Sequence, residues 1–289
     1  MTTAQDNQSP APSPTAADSG ASATVAFKQN AARRGVVASS QERVAGIVGD
    51  ILSAVRDVIR SHDVTYPEYQ ATKAWLMAVG EGGEWPLVMD VFIEHAVEDQ
   101  VSQSQNGTKG SIEGPYYLPD QPKLGATCTL PMRADEKGTP LVLSGQVRDI
   151  DGTPLAASEV EIWQADDDGY YSGFAPHVPD GNLRGVAVTD ADGHFAISTI
   201  QPAPYQIPHE GPTGRLLEAA GWHPWRPAHL HLMVRADGHR TITTQLYLAT
   251  SAYVDSDVAS ATKPELFIEP VDDGTGVARV TYDFELEKA

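Results

Sequence analysis

Cysteine is almost absent from this sequence, because Cys128 is the only one among 289 residues. A single cysteine cannot form an intramolecular disulfide, and it cannot build a thiolate metal cluster within one chain. We therefore expect a soluble, cytoplasmic protein in a reducing compartment. Cys128 itself is expected to be a small buried filler rather than a nucleophile.

Basic residues and long apolar runs are scarce as well. The chain has 20 lysines and arginines against 39 acidic residues, so its formal charge is −19. Such a negative surface repels phosphate backbones and anionic headgroups, and we expect no nucleic-acid or membrane partner. The longest apolar runs, such as residues 74–79, are too short to cross a bilayer. The segment before Lys28 has no apolar block and is not a secretory signal.

Several enzyme signatures are missing too: a Gly-x-Ser-x-Gly elbow, a phosphate-binding glycine loop and a dinucleotide-binding fingerprint. What is present falls into three regions. Residues 1–25 are rich in Ala, Ser, Thr, Pro and Asp. They cannot bury enough apolar surface to offset the entropy of ordering, so we predict a disordered leader.

Residues 26–110 are predicted to form a helical segment. Ser39 with Glu42, and Thr65 with Glu68, match the capping box that opens helices. The first helix carries a broad apolar face at helical spacing, formed by Val44, Ile47, Val48, Ile51, Val55, Val58 and Ile59. Glycines at 80–83 end the second helix, and a third is expected from Trp85 to about residue 101. These helices should pack on each other, on a partner or on the later domain.

Residues 111–289 read as short alternating strands separated by turns such as Asp151-Gly152 and Asp192-Gly193. The predicted strands are 141–147, 159–163, 194–200, 228–234, 241–248 and 278–286. Many short strands of this kind are typical of a sandwich or barrel. The predicted fold class is α+β, mainly β, with an N-terminal helical segment followed by an antiparallel β-sandwich.

One of these strands carries two histidines. His229 and His231 are two residues apart, so a strand directs both imidazoles to one face, while Leu230, Leu232 and Val234 take the other. Two histidines side by side make half of a metal site. An exposed polar face that carries them by chance is the alternative, and the pair alone does not decide. The acidic run at residues 166–168 lacks the regular spacing of a calcium loop and is expected to be a solvated turn.

Six segments together resemble the intradiol ring-cleavage dioxygenases, most of all catechol 1,2-dioxygenases of actinobacterial type. In chain order they are 112–117 (IEGPYY), 168–172 (DGYYS), 182–185 (NLRG), 202–205 (PAPY), 226–231 (RPAHLH) and 243–245 (TTQ). The likeness covers residues 40–289. Six motifs in the right order are far more specific than any one of them.

The resemblance implies an Fe(III) centre held by two tyrosines and two histidines, which here are Tyr171, Tyr205, His229 and His231. It implies cleavage of catechol by O2 between the hydroxylated carbons to cis,cis-muconate, in aromatic degradation. Tyr205 would leave the metal as substrate binds and take up a proton. Arg226 would bring a positive charge to the ring, with Gln245 as its polar partner, and a salt bridge of Arg226 with a carboxylate is the less favoured interpretation.

The resemblance also implies a substrate pocket formed by Ile112, Pro115 and Tyr116. Leu87, Asp90 and Val91 share one face of the third helix and could close the cleft, although interdomain packing explains them equally well. Family members are homodimers joined through the N-terminal helices, with a phospholipid in a tunnel there, and residues 111–289 would be the catalytic domain.

Three alternatives accompany this hypothesis. The substrate could be a chlorocatechol or hydroxyquinol instead of catechol. The β-domain could be a transthyretin-like binding module without activity, although such a module has no need of the tyrosines, histidines and Arg226 together. A zinc hydrolase built on His229 and His231 would need a carboxylate or a third histidine.

Overall fold

The structure is a computed structural model that describes Val25 and residues 39–289, apart from Asp273. Residues 1–24 of the predicted leader lie outside this part of the chain. The helices are α1 (Gln41–Ser61), α2 (Tyr66–Gly82), α3 (Trp85–Phe92), α4 (Glu94–Ser102) and α5 (Pro212–Ala220). The predicted region boundaries at residues 25/26 and 110/111 stay predictions.

Helix capping agrees with the sequence at α2 and differs by one residue at α1. Thr65 and Glu68 form the predicted capping box at the start of α2. At α1 the cap is Ser40, whose hydroxyl accepts a hydrogen bond from the backbone N–H of Arg43 at 3.2 Å, so the predicted cap at Ser39 is wrong. Either serine can supply the capping hydroxyl, and the chain uses the later one.

The third predicted helix is two helices, because the chain breaks at Ile93. The backbone of Ile93 has φ −125° and ψ −37°, outside the helical region, although its N–H still donates to the carbonyl of Met89. The change of direction brings the Glu94 carboxylate to the connector that follows the helices. There it accepts hydrogen bonds from the backbone N–H groups of Glu113 and Gly114 at 2.8 and 3.2 Å.

The apolar face of α1 is exposed in this chain. None of the residues of α1 is buried, and the exposed fractions of its large apolar side chains run from 40% at Ile59 to 55% at Ile51 and Val58. Helix α2, in contrast, contacts the rest of the molecule through Trp75, whose indole N–H donates to the carbonyl of Pro212. Among the described residues, no helix is both long and apolar enough to span a membrane.

Two six-stranded arrays form the β-domain. The strands are β1 (Lys123–Leu124), β2 (Thr127–Thr129), β3 (Pro140–Asp149), β4 (Glu159–Gln164), β5 (Arg184–Val188), β6 (His194–Ile200), β7 (Tyr205–Gln206), β8 (Trp225–Arg226), β9 (His229–Arg235), β10 (Ile242–Leu248), β11 (Phe267–Ile268), β12 (Val271–Asp272), β13 (Ala278–Thr281) and β14 (Phe284–Leu286). The first array has the order β1-β5-β4-β9-β10-β11, and the second has the order β12-β13-β3-β6-β2 with β14 beside β3. A two-stranded ribbon pairs β7 with β8.

The fold class is confirmed, with differences at the sheet edges. The central pairs are antiparallel, whereas β1, β2, β11 and β14 each join a neighbour in parallel. Strand β13 is parallel to β3 and antiparallel to β12. The expected strand at 278–286 is two strands that both follow β3, separated where the Asp283 carboxylate accepts from the backbone N–H of Gln146. Strand β5 begins inside the 182–185 motif and was not predicted as a strand.

Strand β9 lies between two apolar clusters of buried residues in the described part of the chain. Leu230, Leu232 and Val234 lie in the core formed by both large sheets, as predicted, and each is fully buried. The opposite face carries His229, His231 and Met233. Met233 belongs to a second cluster, which contains five buried aromatic residues and joins α3 to the β-domain. One strand thereby anchors itself in the core and directs two histidines into a separate buried space.

Candidate metal centre

The two histidines of β9 meet at their Nε2 atoms. These atoms are 3.1 Å apart, and at most 1% of either residue is exposed. The spacing follows from the strand, because residues i and i+2 point to one side of the sheet. His231 also stacks on Trp163 of β4, with ring centroids 4.9 Å apart and an angle of 12° between the rings. The predicted pair is therefore a buried cluster and not an exposed polar face.

Two tyrosines reach the same space, one from a loop and one from the start of a short strand. The Oη of Tyr171, which follows β4, lies 3.0 Å from Nε2 of His231. Tyr205 begins β7 and pairs with Arg226 of β8, and its ring centroid lies 5.6 Å from that of His229. Both tyrosines are buried, with 2% and 3% exposed. The structure thus brings together all four predicted ligands.

Backbone contacts orient the histidines. Nδ1 of His229 is 2.7 Å from the carbonyl oxygen of Pro227, so this nitrogen carries the proton and donates it. His231 is hydrogen bonded to the backbone of Glu113. A histidine that donates from one ring nitrogen to a carbonyl is typical of a metal ligand, because the other nitrogen keeps its lone pair for the ion.

Burial determines the charge of the cluster. Loss of solvent, reinforced by the charge of Arg226, lowers the pKa of His229 to about 3. Burial and the neighbouring His229 hold the pKa of His231 well below its ordinary value. Burial raises the pKa of the Tyr171 and Tyr205 phenols, although the Arg226 charge opposes this at Tyr205. At neutral pH the imidazoles are neutral, and only a cation in the cluster would ionise the phenols.

The donor set fits a metal ion. Ligand atoms about 2.1 Å from an ion and at right angles to each other lie about 3 Å apart. The contacts of His231 Nε2 with Tyr171 Oη and with His229 Nε2, at 3.0 and 3.1 Å, match that spacing. Phenolate oxygens are hard anionic donors and suit a hard, highly charged cation. Within the described chain, no group of three or more His, Cys, Asp or Glu side chains could hold a metal. Among these described residues, His229 and His231 therefore have no third histidine or carboxylate beside them, which a zinc hydrolase would need.

Arg226 is buried beside the ligand cluster, with 1% exposed. Its Nη1 lies 3.5 Å from Tyr205 Oη and 3.3 Å from His229 Nε2. The less favoured interpretation of this residue, a salt bridge, also holds, because Asp257 accepts from Nε and Nη2 at 3.0 Å each. Arg226 therefore faces the cluster and is paired with a carboxylate at once.

Gln245 lies beside Arg226 and links it to the segment around Ile112 that follows the N-terminal helices. Its Oε1 accepts hydrogen bonds from Arg226 Nη2 at 2.9 Å and from Tyr247 Oη at 2.8 Å. Its Nε2 donates to the carbonyl of Ile112 at 2.8 Å. Sequence reasoning missed Asp257, Tyr247 and Trp163. The alternation of β10 could have indicated Tyr247, which is two residues from Gln245, whereas Asp257 has no local signal among the many acids.

Comparison of the sequence with models of protein families gives an assignment that agrees with this geometry. A family model described as Dioxygenase matches residues 112–288, and one described as Catechol dioxygenase N terminus matches residues 41–109. The chain belongs to the intradiol dioxygenase family. It is 41% identical over 252 residues to chlorocatechol 1,2-dioxygenase of Rhodococcus opacus, covering 85% of this chain and 98% of that protein. It is 36% identical over 239 residues to catechol 1,2-dioxygenase of Acinetobacter baylyi, covering 80% and 77%.

A solved structure supports the same assignment for this intradiol dioxygenase. The crystal structure of 3-chlorocatechol 1,2-dioxygenase from Rhodococcus opacus 1CP superposes with a TM-score of 0.83 at 45% identity. The match covers 86% of this chain and all of that one. Similarity therefore extends over the helical segment and the β-domain together.

The loop that carries Tyr171 is held by a buried aspartate. Asp166 is 1% exposed, and its carboxylate accepts from Arg133 Nη2 at 2.9 Å and from the backbone N–H groups of Asp168 and Tyr170. The predicted solvated acidic turn is thus wrong for Asp166, although Asp168 is exposed. Burial is tolerated because the arginine and two N–H groups compensate the charge.

A cavity of about 280 Å³ opens onto the tyrosines of this intradiol dioxygenase. Tyr116, Tyr171, Tyr205, Tyr170 and Trp225 are among its lining residues. Tyr116 stacks on Tyr171, with ring centroids 4.2 Å apart and rings 4° from parallel. Of the predicted pocket residues, Tyr116 alone lines this cavity.

The remaining predicted pocket residues lie behind it. Leu87, Val91 and Ile112 are buried in the apolar cluster that contains Tyr171 and Tyr205. Pro115 is buried beside Tyr116, and Asp90 is half-buried on α3. Leu87 and Val91 therefore pack against the site from the helical side, which is compatible with both interpretations of this helix face.

Acid should destabilise the metal-free protein through the buried histidines. His229 has a folded pKa of about 3 and an unfolded value of about 6.5, so below pH 6.5 the unfolded chain binds more protons. Between pH 7 and pH 5 we expect His229 to account for a loss of about 2 kcal/mol in the free energy of unfolding, measured by urea denaturation. His229→Gln should remove this part of the pH dependence, while His194→Gln, at an exposed position, should keep it. An equal slope in His229→Gln and the parent would contradict the assignment.

Proposed function

We propose that this chain is an Fe(III)-dependent dioxygenase that cleaves catechol with O2 to cis,cis-muconate. The observation that carries the proposal is the convergence of Tyr171, Tyr205, His229 and His231 on one buried point beside Arg226. In the reaction the bond between the hydroxylated carbons breaks, and both atoms of O2 enter the product.

The four side chains are the proposed ligands of the ion. Two phenolates favour Fe(III) over Fe(II), because hard anionic donors stabilise the higher charge. When bound, a ferric ion would supply Lewis acidity that activates the catechol substrate. His229 and His231 keep their Nε2 atoms turned toward this point, because the Nδ1 of His229 is held by the carbonyl of Pro227 and His231 is held by the backbone of Glu113 and by Gln245 Nε2, 3.1 Å from its Nδ1.

The two tyrosines have different proposed roles. Tyr171 is clamped by the stacked ring of Tyr116 and by its contact with His231, so it is suited to stay in place during turnover. Tyr205 lies against Nη1 of Arg226 and lines the cavity. As catechol enters, the Tyr205 oxygen takes a proton from a substrate hydroxyl, and the freed phenol stays beside Arg226.

Arg226 supplies a fixed positive charge at the edge of the substrate ring. Gln245 and Asp257 hold its guanidinium, so that negative charge developing on the ring meets a donor that needs no rearrangement. The ligand space is closed by apolar and aromatic side chains, which exclude water and strengthen this interaction.

Chlorinated catechols are a second candidate substrate. Chlorocatechol 1,2-dioxygenase of Rhodococcus opacus is the more similar of the two named relatives, at 41% against 36% identity for the catechol enzyme. The same four ligands and Arg226 would serve either ring. Hydroxyquinol, with a third hydroxyl, stays a further alternative.

The visible absorption spectrum of purified, iron-loaded protein tests the proposal. Tyrosinate bound to Fe(III) gives a broad charge-transfer band, and anaerobic catechol should shift that band to longer wavelength. Iron-loaded protein without such a band would show that Tyr171 and Tyr205 are not ligands, and the proposed function would fall with them.

Removal of single ligands should stop ring cleavage. Tyr205→Phe removes the oxygen that takes the substrate proton, and His231→Ala removes an imidazole donor, so both should lower muconate formation at least 100-fold. Product is followed by its ultraviolet absorbance. Tyr282→Phe, which loses only a hydroxyl bonded to the carbonyl of Glu265, is the control and should stay active. Full activity of Tyr205→Phe would refute the ligand assignment.

Substrate preference should respond to the α3 side of the pocket. Leu87→Ala removes a fully buried side chain from the cluster around the tyrosines and should raise kcat/KM for chlorocatechol relative to catechol several-fold. Val88→Ala, on the same helix but outside that cluster, is the matched control. An identical shift of the ratio in both variants would mean that Leu87 acts only through packing of the helix.

We further propose a homodimer joined through α1, with a phospholipid held at that interface. The exposed apolar face of α1 supports this, since a second copy would cover it. Ile51→Lys, at the centre of the face, should convert the dimer into a monomer in sedimentation velocity, whereas Asp50→Lys, beside it in sequence, should not. A wild-type monomer at micromolar concentration would rule out this assembly.

A further inference from the structure

Asp257 forms a deeply buried ion pair with Arg226 of the proposed active site. Its carboxylate accepts from Arg226 Nε through Oδ1 and from Arg226 Nη2 through Oδ2, at 3.0 Å each. The two side chains are 2% and 1% exposed. Two parallel hydrogen bonds of this kind fix the plane of a guanidinium as well as its position.

The pairing leaves one direction for the rest of the guanidinium. Nε and Nη2 are occupied by Asp257, and Nη2 also donates to Gln245. Nη1 is thereby turned toward Tyr205 Oη at 3.5 Å and His229 Nε2 at 3.3 Å. The edge of Arg226 that faces the ligands is thus selected by the carboxylate on the opposite edge.

The carboxylate is itself held by the backbone. Oδ1 of Asp257 accepts from the N–H of Ala259 at 3.1 Å, and Oδ2 accepts from the N–H of Ala261 at 3.3 Å. Tyr247 Oη lies 2.9 Å from the carbonyl oxygen of Ala261 and 2.8 Å from Gln245 Oε1, and its single proton is donated between these two acceptors. The loop and strand β10 therefore hold both partners of Arg226 in one frame.

A buried ion pair by itself is weak support for a role in stability, because desolvation of two charges offsets their attraction. The pair instead fixes the direction in which the Arg226 guanidinium points. We propose that Asp257 is a positioning residue that acts through Arg226 and aims its Nη1 at Tyr205 and the bound substrate. The inference rests on the proposed ring-cleavage function and deepens it.

A double-mutant cycle tests the inference on iron-loaded enzyme. Asp257→Asn removes the charge and the two hydrogen bonds that one carboxylate oxygen accepts, while keeping the shape, and we expect kcat to fall about 10- to 100-fold with a smaller change in KM. Arg226→Gln should fall further. In the double variant, Asp257→Asn should cost nothing beyond Arg226→Gln, because a residue that acts through Arg226 has no effect once Arg226 is gone. Additive losses would overturn the proposal.

Spectroscopy supplies a readout that does not depend on turnover. The positively charged guanidinium of Arg226, next to Tyr205 Oη, should influence the tyrosinate charge-transfer band. We therefore expect Asp257→Asn to displace the band in the same direction as Arg226→Gln. Asp149→Asn is the matched control, since Asp149 is also buried and accepts from two backbone N–H groups, in a turn whose bonds join none of the ligands. An unchanged band and unchanged kcat in Asp257→Asn would refute the role.

The outcomes separate this inference from the proposed function. If wild-type protein shows the band but cleaves no catechol, the function fails while the band comparison still tests Asp257. If Asp257→Asn does not fold, Asp257→Glu carries the same cycle, because it keeps the charge and displaces the carboxylate by one methylene. A Glu variant with wild-type kcat and band would show that accurate placement of the carboxylate is not needed, and the proposal would fall.

Discussion

The structure depends on keeping four donor groups together in a space from which water is excluded. The lone pairs of two neutral imidazoles face each other at 3.1 Å, and two phenols join them without solvent. In the metal-free protein, Arg226 Nη1 lies 3.3 Å from His229 Nε2 and Tyr171 Oη lies 3.0 Å from His231 Nε2, so each buried imidazole has a donor beside it. The surrounding contacts hold the four groups in place for the ion that we propose. Burial lowers the pKa of both imidazoles, so they stay neutral and suited to bind it.

The rigidity needed for this comes from strand β9. Its core-facing leucines lie between the two large sheets, so the histidines on the other face cannot turn away without disrupting the sandwich. Trp163 of β4 covers His231 from the neighbouring strand, at a position paired with it in the sheet. Tyr171 comes instead from the loop after β4, and Tyr205 begins the two-stranded ribbon of β7 and β8. The histidines are therefore fixed by the core, whereas the tyrosines reach the cluster from elements outside the two large sheets.

The sequence predicted the parts of this site that depend on local periodicity. The i, i+2 spacing indicated that His229 and His231 share a face, and the capping box of α2 followed from Thr65 and Glu68. Tyr171 and Tyr205 carry no local signal, and their assignment came from the resemblance of whole motifs. Asp257 was beyond reach, because its role depends on a contact with Arg226, 31 residues away. The break at Ile93 was missed because the periodicity of α3 and α4 continues across it.

The proposed ligands and the proposed pocket wall come from different parts of the chain. The proposed ligands and Arg226 belong to the β-domain between residues 171 and 231, whereas Leu87 and Val91 approach the same cluster from α3. A change on α3 can alter the shape of the pocket without moving a ligand, because the donors are held by β9 and the loops. With the proposed ligands and pocket, substrate preference would therefore depend on the residues that close the pocket and not on those that bind the ion.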